Sequence, residues 1–440
     1  MDLTRLDLKE AVADELEAVR RRSIQLLEPL DESNLVRQHS PIMSPLVWDL
    51  AHVGNFEELW LLRAVNGDQP IDAGLDDVYD AFRHPRPNRP SLPLLSPAET
   101  RRYLAEVRGR ALDVLDRVGF AEDTGSGGRL LHDAFVYGMV VQHEHQHDET
   151  MLATIQLIDG EGYRPLVPAP FSAAAPAAAE LRIAAGPFVL GTDTYPWAYD
   201  NERPAHVVDL PAFWIDTTPV TNRRYLDFVH DGGYSDRRWW DDEGWAWRAE
   251  GDVEHPQFWA PEGSGSWSRT RFGWHEELPL DEPVQHVSWH EASAFARWDG
   301  RRLPTEAEWE KAASWAADGN KRLYPWGDDT VGIDGRANLG QQRFGPAPVG
   351  AYPNGVSAYG CHQMVGDVWE WTSSEFEPYS GFASFPYREY SEVFFGAGYK
   401  VLRGGSWATH PAAVRNTFRN WDHPIRRQIF TGFRCARDDT

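Results

Sequence analysis

The texture of the sequence changes once, near its middle, and that change limits the fold more than any other feature. Up to about Leu157, apolar residues recur at three- and four-residue spacing, the signature of amphipathic helices. The stretches Leu6–Leu27, Pro45–Val65, Pro97–Val118 and Arg129–Ile158 each read as one long helix, and four such helices predict a four-helix bundle. Turn-rich punctuation separates them, as in the DTGSGG run at Asp123–Gly128. After Leu181 the helical spacing is gone, replaced by short strand-like runs, many Gly and Pro, and closely spaced tryptophans. Seven of these, Trp239, Trp240, Trp245, Trp247, Trp259, Trp267 and Trp274, fall in one stretch with neither helical nor strand period. One helix stands out there, opening at Thr305 with Glu308 as a capping box. Between the halves lies a Pro/Ala-rich run, PLVPAPFSAAAPAAA, which reads as a linker. The expected organisation is a helical domain over residues 1–160, a linker over 161–180 and an α+β domain over 181–440 held together by aromatic packing.

Composition narrows the function classes. The 440 residues carry 43 Lys+Arg against 67 Asp+Glu, a formal charge of −24, which argues against nucleic acid or an anionic membrane as partner. No apolar run approaches the ~20 residues of a membrane span. The start, MDLTRLDLKEAVADELEAV, is an acidic amphipathic helix without the basic and apolar regions of an export signal, so a soluble cytoplasmic protein is expected. Two cysteines, Cys361 and Cys435, exclude a disulfide framework and a four-Cys zinc site. The sequence leaves the oligomeric state open.

The chemistry concentrates at His143-Glu-His-Gln-His147, inside the last helix of the first half. Residues four apart share a helix face, so His143 and His147 point one way and His145 roughly the other. Val136, Met139, Val140 and Met151 continue the His143/His147 stripe, which places the two imidazoles toward the bundle interior. Two uncompensated imidazoles on an apolar stripe are costly unless hydrogen-bonded or bound to a metal. An i, i+4 histidine pair is also the usual helical way to present two nitrogens to one ion. The alternative is a hydrogen-bonded polar cluster. For a third ligand, His52 on the stripe Trp48–His52–Phe56–Leu59 competes with Glu149, His84 and His132. Imidazole ligands alone do not choose between zinc, iron, copper and nickel.

These residues support a family comparison. His143-x-x-x-His147-x-Glu149 preceded by His52 on a distant helix resembles the three-histidine DinB-like bundle. The second half resembles the formylglycine-generating-enzyme-like (sulfatase-modifying-factor) domain, a C-type-lectin-related fold. The matching stretches are Gly191-Thr-Asp, Pro219-Val-Thr-Asn222, Pro283-Val-Gln-His-Val-Ser-Trp289, Arg302-Leu-Pro-Thr-Glu-Ala-Glu-Trp309, Tyr324-Pro-Trp-Gly-Asp328, Val365-Gly-Asp-Val-Trp-Glu-Trp371, Leu402-Arg-Gly-Gly-Ser-Trp407 and Gly432-Phe-Arg-Cys435. The two domains in this order resemble the iron-dependent sulfoxide synthases of ergothioneine biosynthesis (the EgtB type). That resemblance implies Fe(II) held by His52, His143 and His147, with O2 as oxidant. It also implies hercynine (Nα-trimethylhistidine) and γ-glutamylcysteine as substrates, joined through sulfur as a sulfoxide. Tyr387 takes the place of the family's catalytic tyrosine, with Tyr390 its competitor. Asn420 and Trp421 would meet hercynine, an indole face being the best partner for a quaternary ammonium. Gln146 would help orient it. Asp422, followed by Arg426, would pair with the α-amino group of γ-glutamylcysteine. Arg86 and Arg89 would clamp its carboxylates, with Arg83 a near alternative.

Other readings remain beside this one. Copper-dependent cysteine oxidation of the formylglycine-generating type needs cysteines after the Arg-Gly-Gly-Ser motif, and Trp407-Ala-Thr-His-Pro-Ala-Ala-Val414 has none. A DinB-like zinc thiol transferase, a lectin-like binding module, an ovothiol-type synthase, and a family member using free cysteine as thiol donor are the alternatives.

Overall fold

The computed structural model describes residues 5–120, 128–160, 163, 176–263, 265–316, 319–329 and 335–439. The linker expected over 161–180 lies largely outside them. The chain divides into two compact units: the first takes the N-terminal helices together with Tyr195–Trp197, and the second takes the remainder.

In the first unit four long helices form the expected bundle: α1 (Arg5–Leu27), α2 (Leu46–Glu57), α3 (Pro97–Arg117) and α4 (Phe135–Gln156). Helix α1 packs on α4, and α2 packs on both α3 and α4. The start of α3 is fixed by a capping box in which the Ser96 side chain accepts the Glu99 N–H and Glu99 returns to the Ser96 backbone, with Pro97 at the first helical position. Two helices depart from the continuous stretches predicted by periodicity. Helix α2 widens after Glu57 into a π-helical segment, Glu58–Ala64. The last helix is interrupted before it properly begins, because Asp133 and Ala134 sit in the left-handed region with φ of 48° and 56°. Apolar spacing is blind to such a break. Here it turns the Asp133 carbonyl toward the Trp197 indole N–H at 3.1 Å. A turn later the same indole lies against Gly138, where a Cβ would come within 2.2 Å of the ring.

The second unit is built from small sheets joined by loops. Strands β1 (Glu180–Ile183), β4 (Phe213–Asp216) and β12 (Ala436–Asp438) form one sheet with β4 central, and β2 (Gly186–Leu190) pairs with β3 (His206–Leu210). A meander of β5 (Trp259–Pro261), β6 (Trp267–Arg271) and β7 (Trp274–Glu277) absorbs three of the clustered tryptophans. The last sheet runs in the order β10 (Asn420–Asp422), β9 (Lys400–Arg403), β8 (Trp369–Glu375) and β11 (Thr431–Gly432). Four helices pack with these strands: α5 (Asn222–His230), α6 (Asp242–Glu250), α7 (Trp289–Trp298) and α8 (Glu306–Ser314). The Thr305/Glu308 capping box opens α8 as the sequence predicts.

The motifs spaced along this half meet inside it. Trp309 Nε1 donates to Glu370 at 2.8 Å, and Arg434 grips both oxygens of the same carboxylate at 2.7 and 2.8 Å. Trp407 Nε1 reaches Gln285 at 2.8 Å, and Trp371 Nε1 reaches the Val287 carbonyl at 2.9 Å. Arg403, fully buried, pairs with Glu310, whose other oxygen receives the Gly191 N–H at 2.9 Å. Gly404 turns the chain at φ 91°, where a side chain would strike the Met364 carbonyl at 2.5 Å. Buried indoles and guanidiniums hydrogen-bonded across the domain thus fasten loops that no long helix or wide sheet could hold.

Candidate metal centre

Helix α2 supplies His52 and α4 supplies His143 and His147, and one nitrogen from each ring lies within 4.8 Å of the others. The ring centroids are 4.6 to 5.1 Å apart. Each ring has a neighbour that fixes it, from the loop at Tyr79 or from the α2 helix. His52 Nδ1 lies 2.7 Å from the Tyr79 carbonyl, and His147 Nδ1 lies 3.0 Å from Asp49 Oδ1. An oxygen acceptor opposite Nδ1 calls for the proton on that nitrogen and turns Nε2 away from it, which is how protein ligands to a metal are oriented. His143 is stacked on Phe56 at 3.7 Å, and its Nδ1 is buried with no hydrogen-bond partner.

Burial, then the proximity of His147, holds His52 and His143 well below the usual imidazole range. Both are therefore neutral at physiological pH, as a ligand must be. Three imidazoles with one nitrogen each drawn together, one of them with an orphaned buried nitrogen, fit a single transition-metal ion and leave coordination positions open for small molecules. Of the rival ligands, His84 faces Asp77 at 3.3 Å and His132 faces Asp133 at 3.2 Å, so neither joins this group. His145 lies beside Asp148 at 3.3 Å.

Arg89 comes close to the site by a route the sequence did not suggest. Its guanidinium lies over Trp48 at 3.6 Å, and Trp48 stacks in turn on His52 at 4.8 Å with planes 10° apart. Arg89 is buried and its donors go to the His84 carbonyl, Ser44 Oγ and the Ala81 carbonyl, at 3.1, 2.6 and 2.9 Å. Burial pulls its pKa down to about 10. Arg86 is half-buried with one donor on the Ile42 carbonyl at 2.9 Å, and Arg83 pairs with Asp77. Gln146 is half-buried, and its carbonyl accepts the Thr150 hydroxyl at 3.1 Å.

Two features of the first unit went unread in the sequence. Asp49 is one. The other is a buried charge cluster: Arg20 and Arg108 bridge Glu57 and Glu144, each Arg touching both carboxylates at 2.7 to 3.2 Å. Burial alone would raise Glu144, but the two guanidiniums hold it below the usual carboxylate range. The available signal was a Glu lodged between two histidines on an otherwise apolar helix.

The second unit carries the remaining predicted residues as a local aromatic group. Trp421 on β10 stacks on Phe376 at 4.1 Å and meets Tyr390 edge-on at 6.0 Å. Tyr387 lies 6.2 Å from Tyr390, and burial raises its phenol well above the ordinary tyrosine range. Asn420 Oδ1 accepts the Trp421 N–H at 2.9 Å, and Asp422 forms an ion pair with Arg426 at 3.4 Å.

Comparison with known proteins decides the family. Residues 15–151 match the DinB superfamily and residues 167–439 match the sulfatase-modifying factor enzyme 1-like domain. A hercynine oxygenase from Mycolicibacterium thermoresistibile is 52% identical, with 97% of this chain and 94% of the relative covered. One from Mycolicibacterium smegmatis is 51% identical over 98% of this chain and 99% of the relative. The chain belongs to the hercynine oxygenase family.

Membership makes it an enzyme of the oxidoreductase class, with a DinB-like helical domain followed by a sulfatase-modifying-factor domain. A formylglycine-generating enzyme of Streptomyces coelicolor is 36% identical over 62% of this chain and 95% of its own length. In this member of the hercynine oxygenase family the stretch Trp407–Val414, directly after Arg403-Gly-Gly-Ser406, contains no cysteine. No helix among the described residues is long and apolar enough to cross a membrane.

Proposed function

We propose that this enzyme joins hercynine to γ-glutamylcysteine through sulfur, using Fe(II) and O2, and releases the S-linked sulfoxide. In the balanced reaction the thiol S–H and one imidazole C–H break while C–S and S=O bonds form. O2 supplies the sulfoxide oxygen and leaves as water with the two hydrogens. The observation that carries this reading is the convergence of His52, His143 and His147 with two of the rings already tied at Nδ1. His52, His143 and His147 would hold the iron, which when bound supplies O2 activation and a common anchor for both substrates. Tyr387 donates a proton or hydrogen atom from its buried phenol and so turns the oxidant away from simple thiol dioxygenation, which gives a sulfinate. Trp421 offers an indole face to the trimethylammonium group, and Asn420 and Gln146 orient the rest of hercynine.

Asp422 meets the α-amino group of the thiol substrate, with Arg426 beside it, and Arg86 and Arg89 attract its carboxylates. Because Arg89 already spends donors on Ser44 and two carbonyls, Arg86 is the better placed of the two for direct contact. The two Arg favour γ-glutamylcysteine over free cysteine. This division of labour assigns metal holding to residues 1–160 and substrate contacts mainly to 181–440. Two buried free cysteines suit a reducing, cytoplasmic setting.

The test is direct. Protein loaded anaerobically with Fe(II) and given hercynine, γ-glutamylcysteine and air should form the sulfoxide, and should prefer that donor when cysteine competes. Consumption of neither substrate with iron present ends the proposal, and zinc-supported activity indifferent to O2 replaces it with thiol transfer. Tyr387→Phe should divert flux to the sulfinate; an unchanged product ratio moves the donor role to Tyr390.

A further inference from the structure

The segment bearing Tyr387 has little regular structure of its own. Tyr387 is extended, with φ −147° and ψ 152°, and is followed by a single 3-10 turn, Arg388–Tyr390. Nevertheless both ends of the segment converge on one carboxylate. Asp200 Oδ2 accepts the Phe385 N–H at 3.1 Å, and Asp200 Oδ1 accepts the Ser391 hydroxyl. Asn201 Nδ2 donates to the same hydroxyl oxygen at 3.1 Å, and Asp200, Asn201 and Ser391 are all buried. Tyr199 extends the grip by stacking on Tyr390 at 4.1 Å, planes 20° apart.

The turn that carries Asp200 is itself anchored. Glu202 takes the Tyr199 N–H at 2.8 Å, Arg415 Nε at 2.8 Å and the Thr417 hydroxyl at 2.6 Å. Among the described residues Asp200 has no cationic partner within ion-pair distance, so it is an anion neutralised only by hydrogen-bond donors. A buried carboxylate of that kind is unfavourable for the fold alone. What it accomplishes locally is to close residues 385–391 into an arch around Tyr387.

We propose that Asp200 is the positioning residue for Tyr387: by fastening both ends of the 385–391 arch to the Tyr199–Glu202 turn, it fixes where the phenol stands. The proposal rests on the reading of Tyr387 as the donor that partitions the reaction. Neither Asp200 nor Ser391 needs to touch substrate for this.

The experiment uses full-length, Fe(II)-loaded enzyme as wild type, Asp200→Ala and the milder Ser391→Ala, with Tyr387→Phe alongside. Two readouts are taken: the sulfoxide-to-sulfinate ratio, and amide hydrogen exchange of peptides spanning 383–392 and 139–151. Asp200→Ala should raise the sulfinate share toward that of Tyr387→Phe, and Ser391→Ala should raise it less. Exchange across 383–392 should quicken about tenfold, the scale of one or two buried hydrogen bonds lost, while 139–151 stays unchanged. An unchanged product ratio in a variant whose arch exchanges faster overturns the proposal, as does unchanged exchange in both variants. If Tyr387→Phe alone leaves the ratio untouched, the donor assignment is what fails, and exchange still reports whether Asp200 holds the arch. Should Asp200→Ala not fold, Ser391→Ala decides by the same two readouts.

Discussion

A metal site depends on the atoms that aim its ligands as much as on the ligands, and here Asp49 does the aiming for His147. It stands three residues before His52 on α2 and reaches across to α4, so a single carboxylate ties the two helices that bear the candidate ligands. Asp49→Asn keeps the shape but removes the charge that strengthens the imidazole as a donor. Its Fe(II) affinity, measured by competition against a chelator, should fall about 10–100-fold. Wild-type affinity would mean that Asp49 serves packing only. The i, i+4 spacing of His143 and His147 was legible because helix geometry alone puts them on one face. Asp49 was not, since its meaning depends on how α2 and α4 face each other, which one chain's periodicity does not encode. Arg89 went the same way: nothing local in the sequence pairs it with Trp48, over which the buried cation lies. Asp367 offers a different residue-scale test. It accepts from the Ala347 N–H, Asn338 and Gln363, and burial lifts its pKa to about 6. The folded state therefore keeps this proton over a pH range where the unfolded chain has lost it. Its contribution favours the fold below about pH 4 and is lost as pH rises to about 6, a change on the order of 3 kcal/mol. Denaturant midpoints of wild type and Asp367→Asn across pH 4–7 should differ in slope accordingly; parallel curves would remove Asp367 from the account.

At the scale of elements, the bundle's long helices are stitched from within by charge. Glu57 follows Phe56 on α2, Glu144 sits between the histidines of α4, and Arg20 and Arg108 reach them from α1 and α3. One cluster thus couples all four helices. Replacing a whole buried cluster by apolar residues can be neutral, but removing one member strands a charge. Arg108→Met should cost about 3–5 kcal/mol in urea unfolding, and the same variant should bind Fe(II) more weakly because both ligand helices lose their common strut. A loss below ~1 kcal/mol would show that the remaining Arg20 suffices. The existence and approximate limits of these helices were readable from apolar spacing. The π-helical turn at Glu58–Ala64 and the break at Asp133–Ala134 were not, because both respond to neighbours. Glu58 receives the Tyr103 hydroxyl at 2.6 Å and the Ile71 N–H at 2.8 Å, and the Asp133 carbonyl receives Trp197. Capping boxes, whose chemistry is complete within four residues, were read correctly at Thr305.

For the whole molecule, the two units hold different kinds of chemistry. All three candidate ligands, with Asp49 and Tyr79 that orient them, belong to the helical unit, while Tyr387, Trp421 and the aromatic group around them belong to the loop-rich one. Several motifs of the second half are fastening points, such as Trp309 on Glu370 or Trp407 on Gln285. Such a framework keeps a surface aromatic in place without making it part of the core. Trp421 is only half-buried, yet its ring is set by Phe376 behind it and Tyr390 at its edge. Its removal should therefore affect recognition and little else. Trp421→Ala should leave Fe(II) affinity and thermal stability near wild type and raise the KM for hercynine about 5–30-fold, the scale of one desolvated cation–π contact. Histidine lacking the three N-methyl groups sharpens the test. If the indole recognises the quaternary ammonium, wild type should discriminate strongly between hercynine and histidine, and Trp421→Ala should lose most of that preference. Equal loss for both substrates would assign Trp421 to shaping the pocket, and loss of bound iron would show that the two halves do not divide the work in this way.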